Sequence, residues 1–166
     1  MTTRTTPLLG SNPVPDNSGD VTIKLYSELD SGAVINPFVI VFNDSGNKDG
    51  IAGLLKVPGD YVGTAKVNIY WIADATTGDA VFDLSYLTRA VGEDMGAAAT
   101  STSDTVTTTT DGTAFNLNKS TMTLTSGDFA AGDIAPVKLF RNSGDASDDL
   151  AAPAGVFYVE FEYSDV

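Results

Sequence analysis

From Asp20 onward the chain alternates apolar and polar residues with a period of two, the signature of strands that bury one face. Val21, Ile23 and Leu25 alternate with Thr22, Lys24 and Tyr26. Pro37 to Phe42, PFVIVF, is instead continuously apolar. Such a run suits a strand covered on both faces, or one whose outer face meets a partner. In the longest segment Ala65, Val67, Ile69, Trp71 and Ala73 share one face, and Lys66, Asn68, Tyr70 and Ile72 share the other. After ADATTGDA the pattern resumes with Phe82, Leu84 and Tyr86 opposite Asp83, Ser85 and Arg89, and the Gly-containing loop between the two segments suggests a hairpin.

Thr100 to Thr110, almost pure Ser and Thr, reads as a polar edge strand whose hydroxyls discourage edge-to-edge pairing. Met122 and Leu124 mark another strand. IAPVKLFR, residues 134 to 141, turns Ala135, Val137 and Leu139 inward, and Pro136 argues for a sheet edge or a bulge. VFYVEFEY, residues 156 to 163, places Phe157, Val159, Phe161 and Tyr163 inside and Tyr158, Glu160 and Glu162 outside. About eight strands with turn clusters between them and no long helix predict an all-β antiparallel β-sandwich, an eight-stranded jelly roll over residues 20–166. Residues 1–19 hold Pro7, Pro13 and Pro15 and few aliphatics, too little for a core of their own. They are expected to form an extended N-terminal arm that lies on a neighbouring subunit, with Leu8 and Leu9 as its anchors.

Composition narrows the function. Nine basic residues against 22 acidic ones give a net charge of −13. That balance repels phosphate backbones and anionic lipid, so neither nucleic acid nor membrane is expected as a partner. Eighteen of the acids are Asp, many in Gly-containing loops where Asp forms turns. There is no Cys and no His, which removes disulfides, thiolate zinc sites, the commonest general base and the usual serine-protease triad. The expectation is a protein that is not an enzyme and carries no cofactor. The first twenty residues lack the apolar stretch of a secretion signal, so synthesis in the cytoplasm without processing is expected.

The remaining constellations are weak. The loop Ser45 to Gly50 resembles a calcium loop only loosely, because Lys56 stands where a bidentate Glu is required. It reads instead as a hairpin loop. Asp145, Asp148 and Asp149 could hold a hard cation, although clustered Asp is more often solvated. Glu160 and Glu162 sit about 7 Å apart by strand geometry, near the spacing of a glycosidase pair. Nothing else supports a cleaving cleft. Trp71 reads as core, whereas Tyr70 and Tyr158 point outward and are the better candidates for partner contact.

Three segments carry a family resemblance. GDYVGTAKVNIYWIADATTGDAVFDLSYLTRAVGED, FAAGDIAPVKLFRNSGD and VFYVEFEYSDV, spanning residues 59 to 166, resemble in order the small β-sandwich virion proteins of tailed bacteriophages, especially jelly-roll head decoration or cement proteins. The landmarks are a long strand ending in an aromatic pair, a Gly-Asp turn before a strand ending in Arg141, and an aromatic-rich closing strand. The resemblance implies a structural protein on the exterior of the virion capsid, a homotrimer that binds the major capsid protein where subunits meet. The alternative is a carbohydrate- or receptor-binding module of a phage tail or fibre, which would need an exposed groove of aromatic and carboxylate groups.

Overall fold

The computed structural model of the chain describes residues 2–8, 14–15, 21–25, 29–30, 37–95 and 101–165. Among these the period-two segments become strands in two antiparallel sheets, and no α-helix forms. The principal strands are β4 (Phe38–Phe42), β5 (Lys48–Lys56), β6 (Tyr61–Ala73), β7 (Asp79–Tyr86), β8 (Thr102–Thr109), β9 (Asn118–Thr123), β10 (Ile134–Asn142) and β11 (Ala154–Asp165). The first sheet runs β4-β11-β6-β9 and the second β5-β10-β7-β8. The chain therefore changes sheet at every connection from β4 to β11 except β7 to β8, which is the jelly roll expected. Three short strands, β1 (Thr3–Pro7), β2 (Val14–Pro15) and β3 (Thr22–Leu25), pair with β11, β5 and β4 respectively.

This topology corrects the expected hairpins. β6 pairs with β11 and β9, and β7 with β10 and β8, so the residues between them form a corner from one sheet to the other. Loop 43–47 is a corner as well, because β4 and β5 lie in different sheets. Alternation shows that each strand has one buried face, but not whether its successor pairs beside it or crosses the core. β8 is an edge strand, as its hydroxyl-rich sequence implies, whereas β10 is central despite Pro136. Its ladder with β7 ends at Val137↔Tyr86. Pro136 thus faces a chain already leaving the sheet, and its carbonyl still accepts from the Leu87 N–H at 3.2 Å.

The inward rows meet in one core. Val67, Ile69 and Trp71 from the first sheet oppose Phe82, Leu84 and Leu139 from the second, all essentially inaccessible to water. Burying each such side chain favours folding by roughly 1.5–3 kcal/mol. Trp71 meets Phe82 edge-on at 5.7 Å, and its Nε1–H donates to Ser120 Oγ at 2.9 Å, so its polar end is satisfied inside the core.

The N-terminal segment departs from the expected arm. β11 is twelve residues long, but β4 pairs only with Ala154 to Val156, which leaves the far end of that edge open. β1 fills it, in register from Thr3↔Ser164 to Pro7↔Glu160. Leu8 follows, with 0% exposure in this chain's own core and its N–H on Val159 O at 3.0 Å. An open strand edge and an apolar hole within the same molecule hold the segment where a neighbouring subunit was expected. The Asp165 carboxylate latches it, accepting from the Thr2 N–H at 2.6 Å and the Arg4 Nε–H at 2.6 Å. Leu9 lies outside the described residues.

The apolar run in β4 is covered on both faces by this chain except at Phe38, which is 72% exposed. Ile40 and Phe42 face the core, while Val39 and Val41 lie on the other side yet are fully buried. There a Cβ on Gly155 would come 2.9 Å from Val39, 3.2 Å from Leu29 and 3.3 Å from Ile72. Leu29 thus packs over the outer face of the first sheet at Gly155.

Candidate functional site

Beyond that cover, the outer face of the first sheet opens into a groove of about 500 Å³. A β-bulge creates it. Val156 pairs with Trp71 and Tyr158 with Tyr70, so Phe157 is an extra residue between two ladder positions. Val156 and Val159 both face the core, and Phe157 and Tyr158 therefore both turn to the groove. The sequence places Phe157 inside, because uninterrupted alternation leaves no room for a bulge. The adjacent aromatic pair was the available signal.

Tyr70 and Tyr158, both expected at a contact surface, come together here with ring centroids 6.2 Å apart and planes inclined at 37°. Lys119 Nζ lies 5.5 Å above the Tyr70 ring, which favours the cation electrostatically and covers that face. Tyr158 is the open platform, 45% exposed. Ile72, only 3% exposed, forms the bottom of the groove.

The opposite wall comes from the connection between β8 and β9. Phe115 and Leu117 line the groove from it. Phe115 adopts a left-handed backbone, φ 62°, which costs a residue bearing a Cβ about 1–2 kcal/mol. Its N–H donates to Ala73 O at 2.8 Å, docking the loop on the end of β6. Asn118 braces the same loop, accepting from the Asp111 N–H at 2.8 Å and donating to Asn116 O at 3.0 Å. Strain in a well-braced loop is the pattern of a positioned functional side chain. Phe115 and Leu117 within the turn-rich DGTAFNLNK were its trace in the sequence.

Part of the groove's lining is charged. Glu160 Oε1 accepts from the Tyr70 hydroxyl at 2.9 Å and from Asn68 Nδ2 at 3.0 Å. Asn68, wholly buried, also donates to Glu162 Oε2 at 2.9 Å and accepts from the Thr121 hydroxyl at 2.8 Å. The amide fixes both carboxylates in place. The Asn68 hydrogen bond and then Lys66 hold Glu162 below the ordinary carboxylate range against its partial desolvation. Donation to Glu160 raises the Tyr70 hydroxyl, so it remains protonated and stays a donor. Since both bonds fall on Oε1, Glu160 keeps Oε2 for a ligand.

The Asp145, Asp148 and Asp149 cluster does not form a cation site. Asp148 is buried in an ion pair with Arg141, at 2.8 Å to Nη2 and 3.1 Å to Nε, and also accepts from the Val81 N–H at 2.9 Å. Arg141 turns its remaining donors to Leu150 O and Ala152 O, each at 2.6 Å. Asp149 binds the Asp79 N–H and Asp145 the Ser147 N–H. The three carboxylates are spent on separate backbone and Arg contacts, and among the described residues no group of acidic side chains could hold a metal ion.

No family model and no curated protein matches the chain. Similar solved structures include TmCBM61 in complex with β-1,4-galactotriose, at 13% identity and a TM-score of 0.47 over 98% of this chain and 88% of that one. CsCBM6-3 from Clostridium stercorarium in complex with cellobiose is similar at 12% identity and a TM-score of 0.44, over 96% and 98% of the two chains. The enzymatically active domain of bacteriophage CBA120 tailspike protein 4 is similar at 12% identity and a TM-score of 0.45, over 90% of this chain but only 19% of that one. At such identities and scores the likeness concerns general shape, and function rests on the groove.

Proposed function

We propose that the chain is a binding module of the alternative class, holding a carbohydrate in the groove on its first sheet. The observation that supports this reading is the juxtaposition of the exposed Tyr158 ring with the fixed Glu160 carboxylate over an apolar floor. A pyranose has an apolar face that packs on an aromatic ring and a rim of hydroxyls that donate to carboxylates, so it matches both parts. Binding without cleavage is the role its carboxylates support. A glycosidase pair flanks the scissile bond, whereas Asn68 Nδ2 donates to both Glu160 and Glu162 and holds them side by side.

Head decoration as a trimer on the major capsid protein has lost one of its supports. The anchor Leu8 is spent in this chain's own core, whereas Phe38 at the start of β4 stays 72% exposed. A glycan array followed by calorimetry on the hits tests the proposal. Wild-type protein should bind a defined set of glycans, and Tyr158→Ala should weaken that binding at least tenfold while the fold melts normally. An array without hits, or binding that Tyr158→Ala leaves intact, would sink it.

A further inference from the structure

Resting on the carbohydrate reading, we infer that the groove selects uncharged sugars that carry a methyl group, as 6-deoxyhexoses or N-acetylated hexosamines do, over their unsubstituted or acidic counterparts. Besides the Tyr158 hydroxyl, the side-chain polar groups of the lining are Glu160 and the Tyr70 hydroxyl, bonded to each other. The remaining lining, Ile72, Phe115, Leu117 and Phe157, is an apolar floor and wall whose side chains carry no hydrogen-bonding atom. A ring stacked on Tyr158 with hydroxyls on Glu160 Oε2 must push its far substituent against that wall. A hydroxyl there loses its water and gains no partner. A methyl group is buried favourably.

Charge sets the second half of the preference. Glu160 and Glu162 stand side by side on a chain of net charge −13. Lys66 and Lys119 are the nearby cations, but Lys66 is paired with Glu162 and Lys119 lies over Tyr70. A sugar carboxylate bound at Glu160 would meet a like charge within hydrogen-bond range, while Lys119 is held over the Tyr70 ring, so uronic and sialic acids are disfavoured.

The experiment compares dissociation constants by calorimetry within matched pairs: L-rhamnose against L-mannose, N-acetylglucosamine against glucose, and galactose against galacturonic acid, all as methyl glycosides. In at least one of the first two pairs the methyl-bearing sugar should bind about tenfold or more tightly, the scale of discrimination that one apolar group gives a pocket. Galacturonate should bind more weakly than galactose. Leu117→Asn offers the wall a polar partner and should bring the ratio in the selective pair to within about twofold. Leu117 is 62% exposed, so this change tests the wall without removing core. Equal affinities in both methyl pairs with sugar still bound, or a ratio untouched by Leu117→Asn, would overturn the inference and leave the carbohydrate reading standing. No binding in any arm, together with an array without hits, would overturn both.

Discussion

Replacing Leu8 with Ala strips an isobutyl group to a methyl at a position with 0% exposure among the core residues. A fully buried Leu→Ala change costs about 2–5 kcal/mol, because apolar transfer energy is lost and a cavity remains. For a chain of this size each kcal/mol moves the melting temperature by about 2–4 °C, so a fall of about 4–20 °C is expected. The control is Leu54→Ala, a Leu 60% exposed on β5, which should stay within about 0.5 kcal/mol of wild type. Thermal and urea denaturation at several protein concentrations would measure both. Since Leu8 packs in its own chain, the loss should be independent of concentration. A midpoint unchanged by Leu8→Ala, or one that moves only at high protein concentration as binding linkage demands, would mean that the segment lies on a neighbouring copy and that the intramolecular strap is mistaken.

Asp148→Asn leaves Arg141 buried without its counter-charge and should destabilise the fold by about 3–5 kcal/mol in urea denaturation. EDTA should leave the wild-type midpoint where it is, because Asp145, Asp148 and Asp149 are engaged by protein groups. The Thr2 N–H and Arg4 hold Asp165 below its ordinary value of 3.8. A carboxylate whose pKa is depressed in the folded state adds stability above its unfolded pKa, and that stability is lost as pH falls through the folded value. Hydrogen exchange of the β1 amides should therefore accelerate as pH drops from about 4, beyond the intrinsic change with pH. Asp165→Asn should show fast exchange already at neutral pH.

The inward rows could be read in the sequence because burial of one face imposes a period of two. Val67, Ile69, Trp71, Phe82 and Leu139 all lie where alternation puts them. Tyr70 and Tyr158 were recognisable as outward-facing for the same reason. Phe157 was not, since a bulge breaks the period locally and only the partner strand reveals it. Phe115 was hidden differently, because its place depends on a left-handed backbone and a bond to Ala73, both set by tertiary contact. Leu8 deceived because the hole it fills is built by strands far away in sequence. Pairing order, more than strand identity, escaped the pattern.

The bulge at Phe157 also bears on how such a surface can arise. Remove that residue in thought and Val156, Tyr158 and Val159 fall back into plain alternation, in, out, in, with the core rows undisturbed. A single inserted codon in an ancestral jelly roll could thus add Phe157 beside Tyr70 and Tyr158 with the core rows kept in place, and its deletion could remove it as cheaply. Lineages of this scaffold could gain, retune or discard a ligand face by indels at this one joint, without the slow repacking of an interior.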